Sequence, residues 1–226
     1  MNAGGHVVLS FSGGKDSVLA LGRLRSAVPP ASVTLLTTVT RAYGRVSIHG
    51  LRHRLLRTQA RALEVPLELL VLPPVCPNAL YEERFGRRLD RHAVRGVRAV
   101  AFGDLFLADL RAYRERLVRA HGLAALFPLW GEETRGLARG FLAAGYRAVV
   151  VAVDTTRLGA DAVGREYDAE FLAALPPHVD PCGENGEFHT FVYDGPGFRH
   201  PVHFRRGVRV HRDGRFVFQD LCEAPA

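Results

Sequence analysis

Apolar runs alternate with segments of helical period along the first half of the chain. Continuous apolar or β-branched runs, typical of strands buried on both faces of a sheet, cover residues 6–11, 33–39, 67–72 and 98–102. Apolar residues recur at helical spacing over residues 17–25, 51–63, 79–94 and 109–121. Strands that alternate with helices predict right-handed crossovers and a parallel sheet with helices on both faces.

The pattern changes near Gly131. A helical period over residues 134–144 precedes an apolar run over residues 146–153, and a segment rich in glycine and proline follows. Residues 202–218 alternate apolar and polar positions around Arg212-Asp213-Gly214, which predicts a hairpin. We therefore predict an α/β protein with one domain in residues 1–131 and a smaller α+β domain in residues 132–226.

Composition places few further limits on the function. The content of 47% hydrophobic and 23% charged residues is ordinary for a globular protein. No apolar stretch approaches the roughly 20 residues of a membrane span, and no secretory signal is visible. The three widely spaced cysteines argue against a disulfide framework, and the absence of CxxC or CxxH argues against structural zinc. We expect a cytoplasmic protein that does not contact a membrane.

The net charge of +7 and the pI near 9.9 raise the possibility of a nucleic-acid partner. The basic residues are scattered, however, which favours a solvated surface and leaves a polyanion partner as the minority interpretation. Lys15 is the only lysine, and all the other basic residues among the 30 are arginine. A position that keeps lysine against this bias suits a compact point charge beside a phosphate.

The motif SGGKDS (residues 12–17) lies between the first predicted strand and the first predicted helix. Its glycines allow the backbone to turn N–H groups toward an anion, and the helix N-terminus adds its positive end. Lys15 would neutralise phosphate charge, Ser12 and Ser17 would donate hydrogen bonds, and Asp16 would hold Mg²⁺. The spacing differs from Walker A and dinucleotide loops. The alternative is a glycine-rich turn whose polar residues only cap a helix.

A second polar constellation occupies residues 181–190, with the sequence PCGENGEFHT. Its carboxylates, Glu184 and Glu187, could bind Mg²⁺ or an incoming ammonium, and His189 could move a proton. Taken alone, the segment is equally well explained as a polar turn that leads into a strand over residues 191–193.

These motifs resemble those of known families. SGGKDS is similar to the SGGxDS hallmark of the PP-loop ATP pyrophosphatases, which adenylate a substrate oxygen and release pyrophosphate. Together with residues 103–117 (GDLFLADLRAYRERL), 127–131 (FPLWG) and 153–168 (VDTTRLGADAVGREYD), the segment PCGENGEFHTFVYDGP at residues 181–196 resembles the diphthine–ammonia ligase family. Glu133 departs from the family pattern, which has aspartate there.

The resemblance implies a HUP/Rossmann-like sheet and an ATP-dependent, AMP-forming ligase that captures a carboxylate with ammonium. The acceptor carboxylate would lie on a protein similar to elongation factor 2 or on a small molecule. Residues implied in ATP binding are Ser10, Ser12, Gly13, Gly14, Lys15, Asp16, Ser17, His49, Gly103 and Asp104. Residues implied in catalysis are Lys15, Asp16, Glu184, Glu187, His189 and Thr190, with Asp16 as the Mg²⁺ ligand.

Two other functions remain open at this stage. One is a PP-loop enzyme that modifies RNA, and the other is a module that binds ATP or AMP without turnover. A homodimer is left open. Arg165 is equally compatible with a pyrophosphate contact and a surface ion pair, and Cys182 with a reactive and a structural thiol.

Overall fold

The structure is a computed structural model that describes residues 6–27, 33–42, 44–46 and 49–224. Its first sheet contains β1 (His6–Ser10), β2 (Val33–Thr40), β3 (Arg45–Val46), β4 (Leu67–Leu72), β5 (Val97–Ala101) and β6 (Ala124–Leu126). Five strands are parallel in the spatial order β4-β2-β1-β5-β6, and the short β3 pairs antiparallel with the end of β2.

Helices cover both faces of this sheet. They are α1 (Lys15–Ala27), α2 (His53–Ala62), α3 (Asn78–Val94) and α4 (Ala108–Arg119). Because successive side chains of a strand point to opposite faces, Leu9 of β1 packs with Leu21 of α1, while Val8 packs with Phe85 of α3 and Val118 of α4. The predicted fold class, a parallel sheet with helices on both faces, is confirmed.

The second sheet is antiparallel. Its order is β8 (Phe188–Asp194), β7 (Arg147–Asp154), β10 (Phe216–Glu223) and β9 (Phe204–Arg212). Helices α5 (Thr134–Ala143) and α6 (Ala169–Ala174) and the 3₁₀ turn Ala160–Ala162 accompany it. The predicted hairpin is present as β9 and β10, and its tip residues Asp213 and Gly214 adopt positive φ.

One apolar core joins the two sheets. It includes Leu9 and Leu21 from the first unit and Val150 and Phe188 from the second. At its centre the fully buried amide of Gln59 donates hydrogen bonds to the carbonyl oxygens of Gly13 (2.9 Å) and Val192 (2.6 Å). The domain boundary expected near Gly131 falls between β6 and α5, and it stays a prediction.

Several local expectations were wrong. The segment holding His189 and Thr190 is not a turn, because β8 begins at Phe188 and includes both. The sequence around His49 predicts a parallel strand over residues 46–48 and a helix that opens at His49-Gly50, but β3 is antiparallel and α2 begins only at His53. Residues 47–48 of the expected strand lie outside the described residues. The short elements β3, β6 and α6 were not predicted, because they are too brief for a periodic signal.

Candidate functional site

The SGGKDS turn after β1 and the pair Gly103-Asp104 after β5 meet where the strand order of the first sheet reverses. β1 and β5 are neighbours, but the chain winds outward from them in opposite directions, which leaves a crevice at their carboxyl ends. A Cβ at Gly103 would lie 3.1 Å from the backbone carbonyl of Asp16. Glycine at position 103 therefore lets the loop after β5 approach the start of α1.

A cavity of about 440 Å³ occupies this crevice. Its walls include the SGGKDS turn, Gly103-Asp104 and part of β8, so residues that are far apart in sequence face the same cavity. Of the residues expected in the site, those lining the cavity are Ser10, Ser12, Gly14, Lys15, Asp16, Ser17, His49, Gly103, Asp104, Glu184, His189 and Thr190. Gly13 and Glu187 do not line it.

The turn that follows β1 is held from several sides. Gly13 has φ of +83°, and its carbonyl accepts from Gln59 and from the amide of Val192. The amide of Gly14 donates to Ser12 Oγ (3.3 Å), and that of Lys15 donates to Thr190 Oγ1 (3.1 Å). Two loop amides expected to face an anion thus already have hydroxyl partners, and Gly13 acts by shaping the turn.

Lys15 is buried and serves as a link between the two motifs. Its Nζ lies 2.9 Å from Asp16 Oδ2 and also donates to the carbonyl of Cys182. The rings of Tyr167 and Phe188 lie 5.8 and 5.6 Å from it. Burial alone would lower the pKa of Lys15, but Asp16, Cys182 and Glu184 together outweigh it and the pKa is raised. The ammonium is therefore charged and tied to the loop of residues 180–187.

Three carboxyl groups face the same cavity. Burial raises the pKa of Asp16, Asp104 and Glu184, that of Glu184 to about 7. The other two carboxylates raise the pKa of Glu184 further, although Glu184 Oε1 accepts from the Leu105 amide at 2.7 Å. Asp104 pairs with Arg114 at 2.9 Å, and Asp16 Oδ1 is buried without a hydrogen-bond partner among the described atoms. The cavity thus holds three acidic side chains beside two basic ones, Lys15 and Arg114.

The three carboxyl groups of the cavity fit a divalent cation only in part. No group of three or more histidine, cysteine or acidic residues gathers closely enough to form a metal cage within the described ranges. Mg²⁺, however, is commonly held by one or two carboxylates together with water and substrate phosphates. Asp16, with its unpaired oxygen, fits that second arrangement, with Asp104 and Glu184 facing the same space.

Two histidines meet at the wall of the cavity, His49 from the turn before α2 and His189 from β8. The ring centroids of His49 and His189 lie 4.5 Å apart. Burial and the nearby Lys15 lower the pKa of His189 to about 4. The pKa of His49 lies well below its usual value, mainly because of burial and secondly because of His189. Both imidazoles are neutral at pH 7, so His189 could accept a proton or donate a neutral N–H.

Glu187 lies inside the loop that carries Glu184. It is 1% exposed, and its Oε1 accepts from the Asp180 amide (3.1 Å) and from Asn185 (3.0 Å). Asp180 in turn accepts from the amides of Cys182 and Glu184. These contacts fix the backbone that holds Glu184 at the cavity, so the geometry gives Glu187 a supporting position.

Some cavity residues were missed in the sequence. Arg114 of α4 stacks on Phe102 at 4.4 Å and is the guanidinium that lines the cavity, with Tyr81 beside it on the wall. Arg114 lies within the motif GDLFLADLRAYRERL, so its position ten residues after Asp104 was the available signal. Arg165 lies outside the cavity and pairs with Glu170 at 3.4 Å.

Cys182 has the environment of a structural thiol. Its side chain is buried, and its Sγ donates to the carbonyl of Thr134 at 3.3 Å. Burial raises the pKa of the thiol to about 12, so the nucleophilic thiolate is scarce at neutral pH.

The fold and the cavity together define an α/β protein with its candidate site at the topological switch point of a parallel sheet. Residues 133–217 match the family model of the diphthamide synthase C-terminal domain. This match agrees with the resemblance to diphthine–ammonia ligases. No curated protein matches the chain. No helix in the described part of the chain is long and apolar enough to cross a membrane.

Proposed function

We propose that this protein is an ATP-dependent ligase that adenylates a carboxylate and converts it to an amide with ammonia. The observation that carries the proposal is the single cavity in which the SGGKDS turn, three carboxyl groups and two neutral histidines face one another. This combination supports an anionic nucleotide at one end and proton transfer at the other.

In the first step, an oxygen of the acceptor carboxylate attacks the α-phosphorus of ATP. The bond from that phosphorus to the bridging oxygen breaks, and pyrophosphate leaves. In the second step, ammonia attacks the acyl carbon, AMP leaves with the bonding electron pair, and the nitrogen loses a proton. Mg²⁺, held by Asp16 and the phosphates, would neutralise the charge that builds on the leaving group.

The residues of the chain divide between these steps. The turn at residues 12–17 and the N-terminus of α1 bind the phosphates and orient the α-phosphorus. Glu184, whose pKa of about 7 is close to physiological pH, holds the incoming nitrogen and accepts its proton. His189 is the second neutral acceptor at the same wall. The apolar wall that includes Leu36, Leu72 and Tyr81 offers a surface for the adenine ring.

The test is to incubate the purified protein with ATP, Mg²⁺, ammonium and candidate acceptors. The acceptors would be a protein similar to elongation factor 2 that carries diphthine, and fractions of small-molecule carboxylates. We expect one AMP and one pyrophosphate to be released for each amide formed, and we expect neither product without an acceptor. Formation of ADP, or nucleotide binding without turnover in every fraction, would reject the ligase function.

A further inference from the structure

A second cavity lies outside the proposed ligase site. At about 570 Å³ it is larger than the cavity at the SGGKDS turn, and it opens between α5, α6 and the segment 175–181. None of the residues expected in the ligase site lines it. This second cavity is therefore separate from the proposed ligase site.

The groove combines an apolar floor with a basic rim. Leu142 of α5 and Leu172 and Leu175 on the α6 side are half-buried and pack against the main core. Arg135 and Arg139, both exposed, lie one helical turn apart on α5 and line the same cavity. A ligand that covers this groove would remove leucine surface from water while it meets two positive charges.

The two arginines have no ion-pair partner within the described residues. The nearest acid on their own helix is Glu133, but its oxygens accept from the amides of Arg135 (2.8 Å) and Gly136 (2.6 Å) and cap α5. Its charge acts on Arg135 and Arg139 only through solvent, because Glu133 is fully exposed. Both guanidinium groups are therefore free to bind external carboxylates bidentately.

The spacing of this rim fits an extended polypeptide. Side chains four residues apart on a helix have Cβ atoms roughly 5–6 Å apart. Alternate side chains on one face of an extended strand are about 6.6 Å apart, since the rise is about 3.3 Å per residue. Acidic side chains at alternate positions would thus reach Arg135 and Arg139, and the intervening apolar side chains would face Leu172 and Leu175.

The geometry points to a docking groove for an extended, acidic polypeptide segment with apolar residues at alternate positions. The groove and the ligase cavity share one backbone segment as a wall, because Pro181 lines one and Cys182, the next residue, lines the other. The bound segment would lie against the chain that carries Glu184. This inference holds whether or not the proposed ligase activity is correct.

The test measures binding of a fluorescein-labelled, N-acetylated peptide of about eight residues that alternates glutamate and leucine. Comparison peptides replace glutamate by lysine, replace leucine by serine, or group the same residues into two blocks. We expect the alternating acidic peptide to bind best, and Arg135→Glu/Arg139→Glu to weaken it by about tenfold or more. Leu172→Ser should weaken it as well.

Arg57 and Arg61 provide the matched control. They are also exposed, lie four residues apart on α2 and have no ion pair among the described residues. Arg57→Glu/Arg61→Glu changes the net charge by the same amount and should leave peptide affinity unchanged. Arg135→Gln/Arg139→Gln repeats the test without charge reversal, and unfolding temperatures identify any misfolded variant.

Four outcomes would overturn the inference. They are no binding of the alternating acidic peptide, equal losses in both arginine pairs, equal binding of the serine or block peptides, and tighter binding of octanoate than of the peptide. The last result would assign the groove to a small apolar anion. Selective loss in the Arg135/Arg139 and Leu172 variants supports the polypeptide groove.

Discussion

Lys15 shows how one side chain can serve two motifs. Its ammonium neutralises Asp16 within the SGGKDS turn and holds the Cys182 carbonyl of the loop at residues 180–187. Position 15 therefore carries a compact point charge that has protein partners on both sides. An arginine would have to place a broader guanidinium between the rings of Tyr167 and Phe188.

The first prediction concerns this buried ion pair. Lys15→Ala leaves the Asp16 carboxylate without its cation, and we expect the free energy of unfolding to fall by about 2–3 kcal/mol. Lys15→Ala/Asp16→Ala should recover part of that loss, because it removes the unpaired charge. Arg57→Ala, at an exposed position, should stay within about 0.5 kcal/mol of the wild type. Denaturant unfolding of the four proteins measures these differences, and an unaltered Lys15→Ala midpoint would contradict the assignment.

The second prediction concerns the pH dependence that Glu184 imposes. Its pKa of about 7 is raised above the ordinary 4.5, so the buried carboxyl is protonated in acid and ionised above neutrality. Capture of ammonia should therefore rise with pH through an apparent pKa near 7. Because the folded pKa is the higher one, the contribution to stability is complete below 4.5 and is lost as pH approaches and passes 7.

Glu184→Gln keeps an acceptor for the Leu105 amide but cannot titrate. We expect it to slow amide formation by about 10²-fold and to abolish the inflection near neutral pH. The pH profile of AMP formation at saturating ATP and Mg²⁺ is the measurement. A variant that keeps the wild-type inflection would transfer the titrating role to another group.

At the scale of elements, the turn between β1 and α1 depends on its backbone shape. Gly13 has φ of +83°, and a Cβ there would lie 2.5 Å from Leu56 Cδ1 and 2.7 Å from Gln59 Oε1. The turn is thus packed against α2 and, through Val192, against β8. One helix and one strand, α2 and β8, hold the loop before any ligand arrives, which is the preorganisation that a phosphate site needs.

The third prediction tests that packing. Gly13→Ala combines a left-handed backbone with a steric clash, and we expect it to cost about 2–5 kcal/mol of stability. Gly131→Ala is the matched control, since Gly131 has φ of +79° and no atom within 4 Å of the added Cβ. The free energy of unfolding of Gly131→Ala should fall by only about 1–2 kcal/mol. Thermal or denaturant unfolding separates the two, and equal losses would show that packing around Gly13 contributes nothing.

At the scale of the whole molecule, ion pairs as well as apolar contacts join the two sheets. Asp220 of β10 is 6% exposed at its side chain and pairs with Arg45 of β3 (2.7 Å) and with Arg52 just before α2 (2.6 Å). Burial would raise the pKa of Asp220, but hydrogen bonds from Arg52 and Arg45 outweigh it and hold the pKa well below the usual range.

The fourth prediction follows from that lowered pKa. Asp220 stabilises the fold above its ordinary pKa of 3.8, and this contribution is lost as pH falls through the lower folded value. Asp220→Asn should cost about 2–3 kcal/mol at neutral pH, and its difference from the wild type should shrink in acid. Glu64→Gln removes an exposed pair with Arg199 and should cost less than about 1 kcal/mol. Unfolding free energies at several pH values test both, and a difference for Asp220→Asn that does not vary with pH would refute the linkage.

The sequence by itself determined four strands of the parallel sheet, β1, β2, β4 and β5, and the helices that cover it, because their apolar patterns are long and are set by local geometry. It also determined the position of the SGGKDS turn, since a buried strand, two glycines and a helix start are read directly from neighbouring residues. The candidate residues Glu184 and His189 were read from the polar segment at residues 181–190, and Thr190 came from the family resemblance, although the strand that holds His189 and Thr190 was not predicted to begin so early.

Only the tertiary structure decided which of these residues face one cavity. Glu184 and Glu187 are three residues apart, yet one lines the cavity and the other lies inside its loop, because the loop closes around Asp180. The contact of His49 with His189 and the hydrogen bond from the Lys15 amide to Thr190 join distant segments. Local periodicity has no information about such contacts, since they depend on how two separately patterned sheets pack against each other.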